Sequence, residues 1–328
     1  MKKITALLLA MLMLLSLVPA VAESADAPAV AVIVAGTLGD RGFYDSSNAG
    51  RQKLEADGVA SRTTIIECKE DASLYEPSLI TAAEDYDIVV AVGWQFWDPL
   101  TAVAPDFPEA KFIFIDNGLD GVGDNLMSII YKQNEGSFLV GYIAAKLSVT
   151  GKIGVVGGED VDTINDFIVG YEAGAAYANP DITVVRRYAN GYEDPANGKE
   201  CATALYDEGC DIVFAVAGKT GEGVFEAAKE TGNFAIGVDS DQKFIDPEHI
   251  ICSMIKSVDK SFYDVVANMD EMFQGGAIWT ADMQNGYIDV AYGTEDMTQQ
   301  VSDELKAEVE ELKTKILSGE IEVPSTLN

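Results

Sequence analysis

Short apolar runs alternate with segments of helical periodicity along almost the whole chain. The runs Ala29–Ala35, Thr63–Glu67, Ile88–Val92, Lys111–Ile115, Lys152–Val156, Thr183–Tyr188, Asp211–Ala217, Phe234–Val238 and Ile250–Ile255 are mostly rich in Val or Ile and lack a two-residue alternation. That pattern predicts parallel strands covered on both faces. Helices are expected between them over Ser46–Ala56, Gly136–Leu147, Phe167–Ala178, Gly198–Glu208 and Gly221–Thr231, with Pro77, Pro99 and Pro180 marking turns or helix starts. Strand–helix alternation of this kind predicts an α/β fold of doubly wound parallel sheets. Nine strand candidates in a chain of 328 residues predict two such sheets rather than one.

The junction is expected near Tyr131–Gly136, where the last strand of the first lobe gives way to a helix. After Ile255 the pattern predicts a helix over Asp259–Gln274, then Gly275-Gly276 and a short segment Gly286–Ala291. In the tail Asp303–Leu317, Leu305, Val309, Leu312 and Ile316 recur at helical spacing and should pack one face on a lobe. The expected division is therefore residues 23–131 with 257–285 as lobe 1, and residues 132–256 with 286–328 as lobe 2.

Residues 1–22 read as a secretory signal. Lys2 and Lys3 precede the apolar run Ile4–Val18, and Ala20-Val21-Ala22 supplies a small-x-small cleavage site before Glu23. The run is shorter than the roughly 20 residues of a membrane span. No Cys lies near the cut, so no lipid-anchor Cys is evident and the protein is expected to be exported, periplasmic or at the cell surface.

The formal net charge of −32 comes from scattered acids and reads as a solvated surface. It excludes nucleic acid and anionic membrane surfaces as partners, because phosphate binding relies on Lys and Arg. Cys68, Cys201, Cys210 and Cys252 match no zinc or redox spacing. Export would permit a Cys201–Cys210 disulfide, but buried free thiols are the expected state. The single histidine, His249, has no nucleophile suggested near it. No catalytic residue, metal or cofactor is expected.

In open α/β sheets, ligands bind beyond the carboxyl ends of the strands. That rule selects Gly36–Asp45, Gly93-Trp94-Gln95-Phe96-Trp97, Asp116-Asn117, Asn190–Asp194, Gly218-Lys219-Thr220-Gly221, Asp239–Gln242 and Lys256. Aromatic rings with isolated carboxylates suit a ligand that is flat and apolar at one end and hydroxylated at the other. A ring can lie between Phe43 and Tyr192, and Asp239 can accept two hydrogen bonds from a vicinal diol. Lys256 can donate to the same hydroxyls and offset the buried charge. Asp116 can accept from ring N–H groups. Taken singly, any of these aromatics fits a core and either Asp40 or Asp116 fits a helix cap; the set as a whole is the signal. Gly218-Lys219-Thr220 lacks the earlier glycine of a phosphate loop, since position 213 is Val, and Gly221-x-Gly223 lacks the third glycine of a dinucleotide fingerprint. It reads as a strand-to-helix turn with backbone N–H groups facing the cleft. The candidate ligand-binding residues are Phe43, Tyr192, Asp116, Asp239, Lys256, Asp40, Gly218 and Trp94.

These segments resemble the basic membrane protein family of ABC-transporter binding proteins, which includes purine nucleoside receptors. The resemblance is carried by Asp40-Arg41-Gly42-Phe43-Tyr44-Asp45, Lys111–Asp116, Gly136–Gly141, Gly151–Gly154 with Gly157-Gly158, and Phe167-x-x-Gly170-Tyr171-x-x-Gly174. It continues through Gly191-Tyr192-x-Asp194, Ala217–Gly223 and Ser253-x-x-Lys256-x-x-Asp259, with Gly237-Val238-Asp239-Ser240-Asp241-Gln242 the most specific element. It implies a type I periplasmic-binding-protein fold, with a purine held between Phe43 and Tyr192, ribose held by Asp239 and Lys256, and the base by Asp116. Tyr192 stands where the family usually has Phe, Tyr44 where it often has Asn, and Lys219 where Gly is common. The expected function is that of an exported, monomeric, non-enzymatic binding protein that closes on a nucleoside and delivers it to an ABC permease. The alternatives are a ligand-sensing receptor, a simple-sugar binder on the same fold, and a nucleosidase built on Asp40 and Asp239.

Overall fold

The computed structural model describes residues 27–327, so the expected signal segment lies outside the described residues. The first half of the chain forms β1 (Ala29–Val34), α1 (Phe43–Ala56), β2 (Arg62–Glu67), α2 (Tyr75–Asp85), β3 (Ile88–Val92), α3 (Trp97–Val103), β4 (Lys111–Ile115) and β5 (Leu126–Tyr131). The second forms α4 (Gln133–Leu147), β6 (Lys152–Gly157), α5 (Asp162–Ala178), β7 (Thr183–Tyr188), α6 (Pro195–Asp207), β8 (Ile212–Val216), α7 (Glu222–Thr231), β9 (Phe234–Asp239) and β10 (Ile250–Lys256). The remainder is α8 (Val258–Ala267), α9 (Met269–Met272), β11 (Ile278–Ala281), β12 (Ile288–Ala291) and α10 (Asp303–Leu317).

The strands build two six-stranded sheets with the same winding, β2-β1-β3-β4-β5-β11 and β7-β6-β8-β9-β10-β12. Every pairing is parallel except β10 with β12. β1, β3 and β8 are buried along their whole length, which is why their sequences carry no alternation. The chain passes between the sheets three times, after Tyr131, after Lys256 and after Ala281. Both sheets therefore point the carboxyl ends of their strands at a shared cleft, and the connecting segments lie on one side of it.

The expected helices begin late. α1, α4, α5 and α6 each start three or more residues before the sequence pattern suggests, because their first turns are polar or lack apolar periodicity. Pro77 and Pro99 lie in the first turns of α2 and α3, where a missing N–H costs nothing. The expected helix Asp259–Gln274 breaks at Asn268, whose side-chain Nδ2 donates to the Asp264 carbonyl at 2.8 Å and competes with the helical ladder. β11 carries only four residues and gave no sequence signal. In α10 the apolar stripe Leu305, Val309, Leu312 and Ile316 is buried. All four cysteines are free thiols, with Cys201 half-buried and the others buried.

Helices α4 and α5 pack backbone to backbone against the second sheet. A Cβ on Gly174 would sit 1.8 Å from the Phe138 carbonyl oxygen, and one on Gly141 would sit 2.1 Å from that of Tyr171. These glycines set helix separation. The tail is pinned beside them: Asn134 Nδ2 donates to the Val323 and Pro324 carbonyls, and Asp166 accepts from Ser325 Oγ and the Thr326 N–H. Substitution Gly174→Ala is expected to cost about 1–3 kcal/mol through overpacking. Thermal or urea unfolding checks this, and a wild-type midpoint would show that the helices can separate freely.

Candidate functional site

Loops at the carboxyl ends of both sheets line a cavity with about 520 Å³ of empty space, part of it continuous with solvent. All eight candidate residues read from the sequence line it: Asp40, Phe43, Trp94 and Asp116 from the first sheet, and Tyr192, Gly218, Asp239 and Lys256 from the second.

The charged floor is built by strand ends. Asp116 follows β4 and Asp239 ends β9, strands that occupy matching places in the two sheets. Both have left-handed backbone, with φ of 82° and 66°. That conformation costs a non-glycine residue on the order of 1–3 kcal/mol and is held only where the surroundings over-determine it. Lys256, at the end of β10, is buried and bonded to Asp116 Oδ1 across the cleft. Its Nζ also lies 4.9 Å from the ring centroids of Phe43 and Tyr131 and 5.0 Å from that of Phe167. One cation thus faces three aromatic rings and a carboxylate.

Asp239 is left differently. It is buried, and its Oδ1 has no hydrogen-bond partner. Burial pushes its carboxyl up to about 7, against the pull of Lys256 and helped by the nearby charges of Asp116 and Asp40. Burial likewise raises Asp116, with Lys256 opposing. Asp40 lines the cavity, but its oxygens accept from the backbone N–H groups of Gly42 at 3.1 Å, Tyr44 at 2.8 Å and Asp45 at 3.0 Å. It secures the first turn of α1, which carries Phe43, and burial holds its carboxyl at about 6.

The walls are aromatic. Phe43 and Tyr44 stand side by side with ring centroids 5.3 Å apart. Tyr192 lies on Gly158, where a Cβ would come within 2.1 Å of its Cε1, so only glycine admits the ring there. Gly218 opens the 3-10 turn Gly218–Gly221 that leads into α7, with φ of 54°, and packs on Tyr192. Tyr44, Gln95, Ile164 and Phe167 also line the cavity and were not among the candidate ligand-binding residues. Tyr44 and Gln95 sit inside loops that the strand-end rule selected. Ile164 was hidden because α5 starts at Asp162, before the expected start at Phe167, and Phe167 was read only as the start of that helix. Among the described residues no group of three or more His, Cys, Asp or Glu could hold a metal ion, and no helix is long and apolar enough to cross a membrane.

The family model described as ABC transporter substrate-binding protein PnrA-like matches residues 27–326. The chain belongs to this Bmp family. Basic membrane protein A of Borreliella burgdorferi is 34% identical over 308 residues, covering 92% of this chain and 88% of that one. The crystal structure of ABC transporter system solute-binding proteins from Aeropyrum pernix K1 superposes with a TM-score of 0.80 at 28% identity, over 90% of this chain and 93% of that one. A solute-binding protein from Agrobacterium vitis with bound allitol shares the fold alone, at 14% identity and a TM-score of 0.57, over 86% of this chain and 99% of that one. The two-lobed type I architecture, the role as substrate-binding component of an ABC transporter and the absence of an enzymatic role follow for this Bmp protein. A small-molecule ligand and a membrane permease are its partners by family.

The charge of the cleft has a thermodynamic consequence. Asp239 has a folded pKa near 7 against an ordinary 3.8, so the folded state holds its proton over that window while the unfolded state does not. Its contribution to stability is therefore full below about pH 4 and is lost as pH rises through about 7. Asp239→Asn should match the wild type in unfolding midpoint near pH 4 and exceed it at pH 7.5. Thermal unfolding of the ligand-free Bmp protein across that range checks it; a constant difference would show that Asp239 is not the titrating group.

Proposed function

We propose that this protein is exported as a monomer, binds a nucleoside, purine preferred, between its two lobes, and delivers it to the permease. The observation that carries the reading is the division of the cavity. Aromatic faces from both lobes, Phe43 and Tyr192, flank it, and buried polar groups with free hydrogen-bonding capacity lie at its floor. Asp239 Oδ1 is a buried acceptor without a protein partner, a costly state that a ligand hydroxyl would relieve. Lys256 stands beside it and is engaged with Asp116. A ribose diol bound at Asp239 and Lys256, with the base between the rings and its N–H groups at Asp116, satisfies both kinds of surface at once. A simple sugar would satisfy the floor and leave Tyr192 and Phe43 without a flat partner.

The ligand would favour the closed arrangement because groups from both lobes reach it only there. A thermal-shift screen of nucleosides, free bases, ribose and other sugars tests the reading. Ligand at about 100 times its dissociation constant stabilises by roughly 2.7 kcal/mol, which moves the midpoint by several degrees. A shift with guanosine, inosine or adenosine but not ribose is the expected result, and a shift with ribose alone overturns it. Phe43→Ala and Tyr192→Ala should each weaken nucleoside binding by roughly 1–3 kcal/mol by titration calorimetry. Wild-type affinity in both variants would make the rings structural.

A further inference from the structure

The loop that carries Tyr192 carries, at the next position, a side chain that grips the opposite lobe. Glu193 Oε1 accepts from the Thr37 N–H at 2.8 Å, and its Oε2 accepts from Thr37 Oγ1 at 2.6 Å. Thr37 belongs to the loop that runs from β1 to Phe43. Both carboxylate oxygens are thus used on one residue of the first lobe, in charge-assisted bonds of the stronger kind. The approach depends on Gly36, where a Cβ would lie 2.6 Å from Glu193 Oε1. Lys219, on the loop after β8, places its Nζ 3.6 Å from Oε2. That cation is needed locally, because Glu70 and Glu159 stand nearby: the charges of Glu193 and Glu159, after burial, help push the Glu70 carboxyl up. Besides the buried Lys256–Asp116 pair, Arg41 and Glu222 meet across the lobes at 3.4 Å, but the Arg41 side chain is half-exposed and such a pair contributes little.

We propose that Glu193 is a positioning residue that latches the closed form through Thr37, with Lys219 balancing its charge. Neither residue touches the cavity. The latch joins the loops of Tyr192 and Phe43 and so fixes the gap between the two rings. It rests on the proposed reading that the lobes close on a ligand, but not on the ligand being a nucleoside. Because the bonds exist only when the lobes meet, the latch acts on ligand escape rather than on encounter.

Stopped-flow dissociation of whichever ligand the screen identifies tests it, with Thr37→Val, Glu193→Ala and the double variant of the full chain. Glu193→Ala should speed dissociation on the order of 10–100-fold, the range of one to two charged hydrogen bonds, with little change in association. The double variant should be no faster than Glu193→Ala alone, the order of ligand preference should be kept, and Thr37→Ser, which keeps both donors, should restore wild-type rates. Wild-type dissociation in Glu193→Ala, or additive effects in the double variant, overturns the latch. If nothing in the panel binds, the nucleoside reading falls and the latch is read on the ligand-free protein by small-angle X-ray scattering. A larger radius of gyration for Glu193→Ala supports it, and identical curves overturn it.

Discussion

The constraint on which the site depends is the burial of three carboxylates around a single lysine between two lobes. Asp40, Asp116 and Asp239 are all buried, and Lys256 is the cation among them. Each carboxylate meets the cost of leaving water differently. Asp40 is hydrogen-bonded to three backbone N–H groups, Asp116 is paired with Lys256, and Asp239 keeps an oxygen without a partner. The pairing of Asp116 with Lys256 joins a residue of the first sheet to one of the second, so the electrostatics of the floor and the closeness of the lobes are one problem. Removing one partner of such a pair leaves an uncompensated buried charge, which is far more costly than never having built the pair.

The duplicated winding explains where these groups come from. Two sheets with the same strand order place β4 and β9 at matching positions, and each ends in an aspartate with positive φ. The scaffold therefore presents two carboxylates to one cleft from related positions, using the same strained turn twice. The lobes differ in what surrounds those acids. The first supplies a capped helix start bearing Phe43, and the second supplies Tyr192 on a loop held over Gly158.

Much of this was legible in the sequence because buried parallel strands write themselves as Val- and Ile-rich runs, and because the strand-end rule then names the loops. β3, β4 and β7 were bounded to the residue by that pattern. Helix starts were not, since a first turn faces the cleft and carries polar or isolated apolar residues; that displacement concealed Ile164. β11 was silent because a four-residue edge strand needs no periodicity of its own. Partnerships were the least legible feature. Nothing in the spacing of Asp116, Asp239 and Lys256 indicates which acid the lysine would join, because the choice is made by the approach of two lobes rather than by local sequence. Asp40 is the converse case, a site candidate that geometry assigns to the start of its own helix.

A protein that shares the fold alone holds an acyclic polyol, allitol. The frame fixes where a ligand sits and that both lobes touch it, while loop residues decide what it is. Here the polar floor is the part that any hydroxylated ligand could use, and the aromatic walls are the part that narrows the choice. A polyol offers hydroxyls in every direction and would leave Phe43 and Tyr192 facing groups that prefer water. A molecule with a flat apolar end and a diol at the other gives the aromatic walls a partner and the free acceptor of Asp239 a donor. The case for a nucleoside therefore lies in the walls, and the case for any ligand at all lies in Asp239.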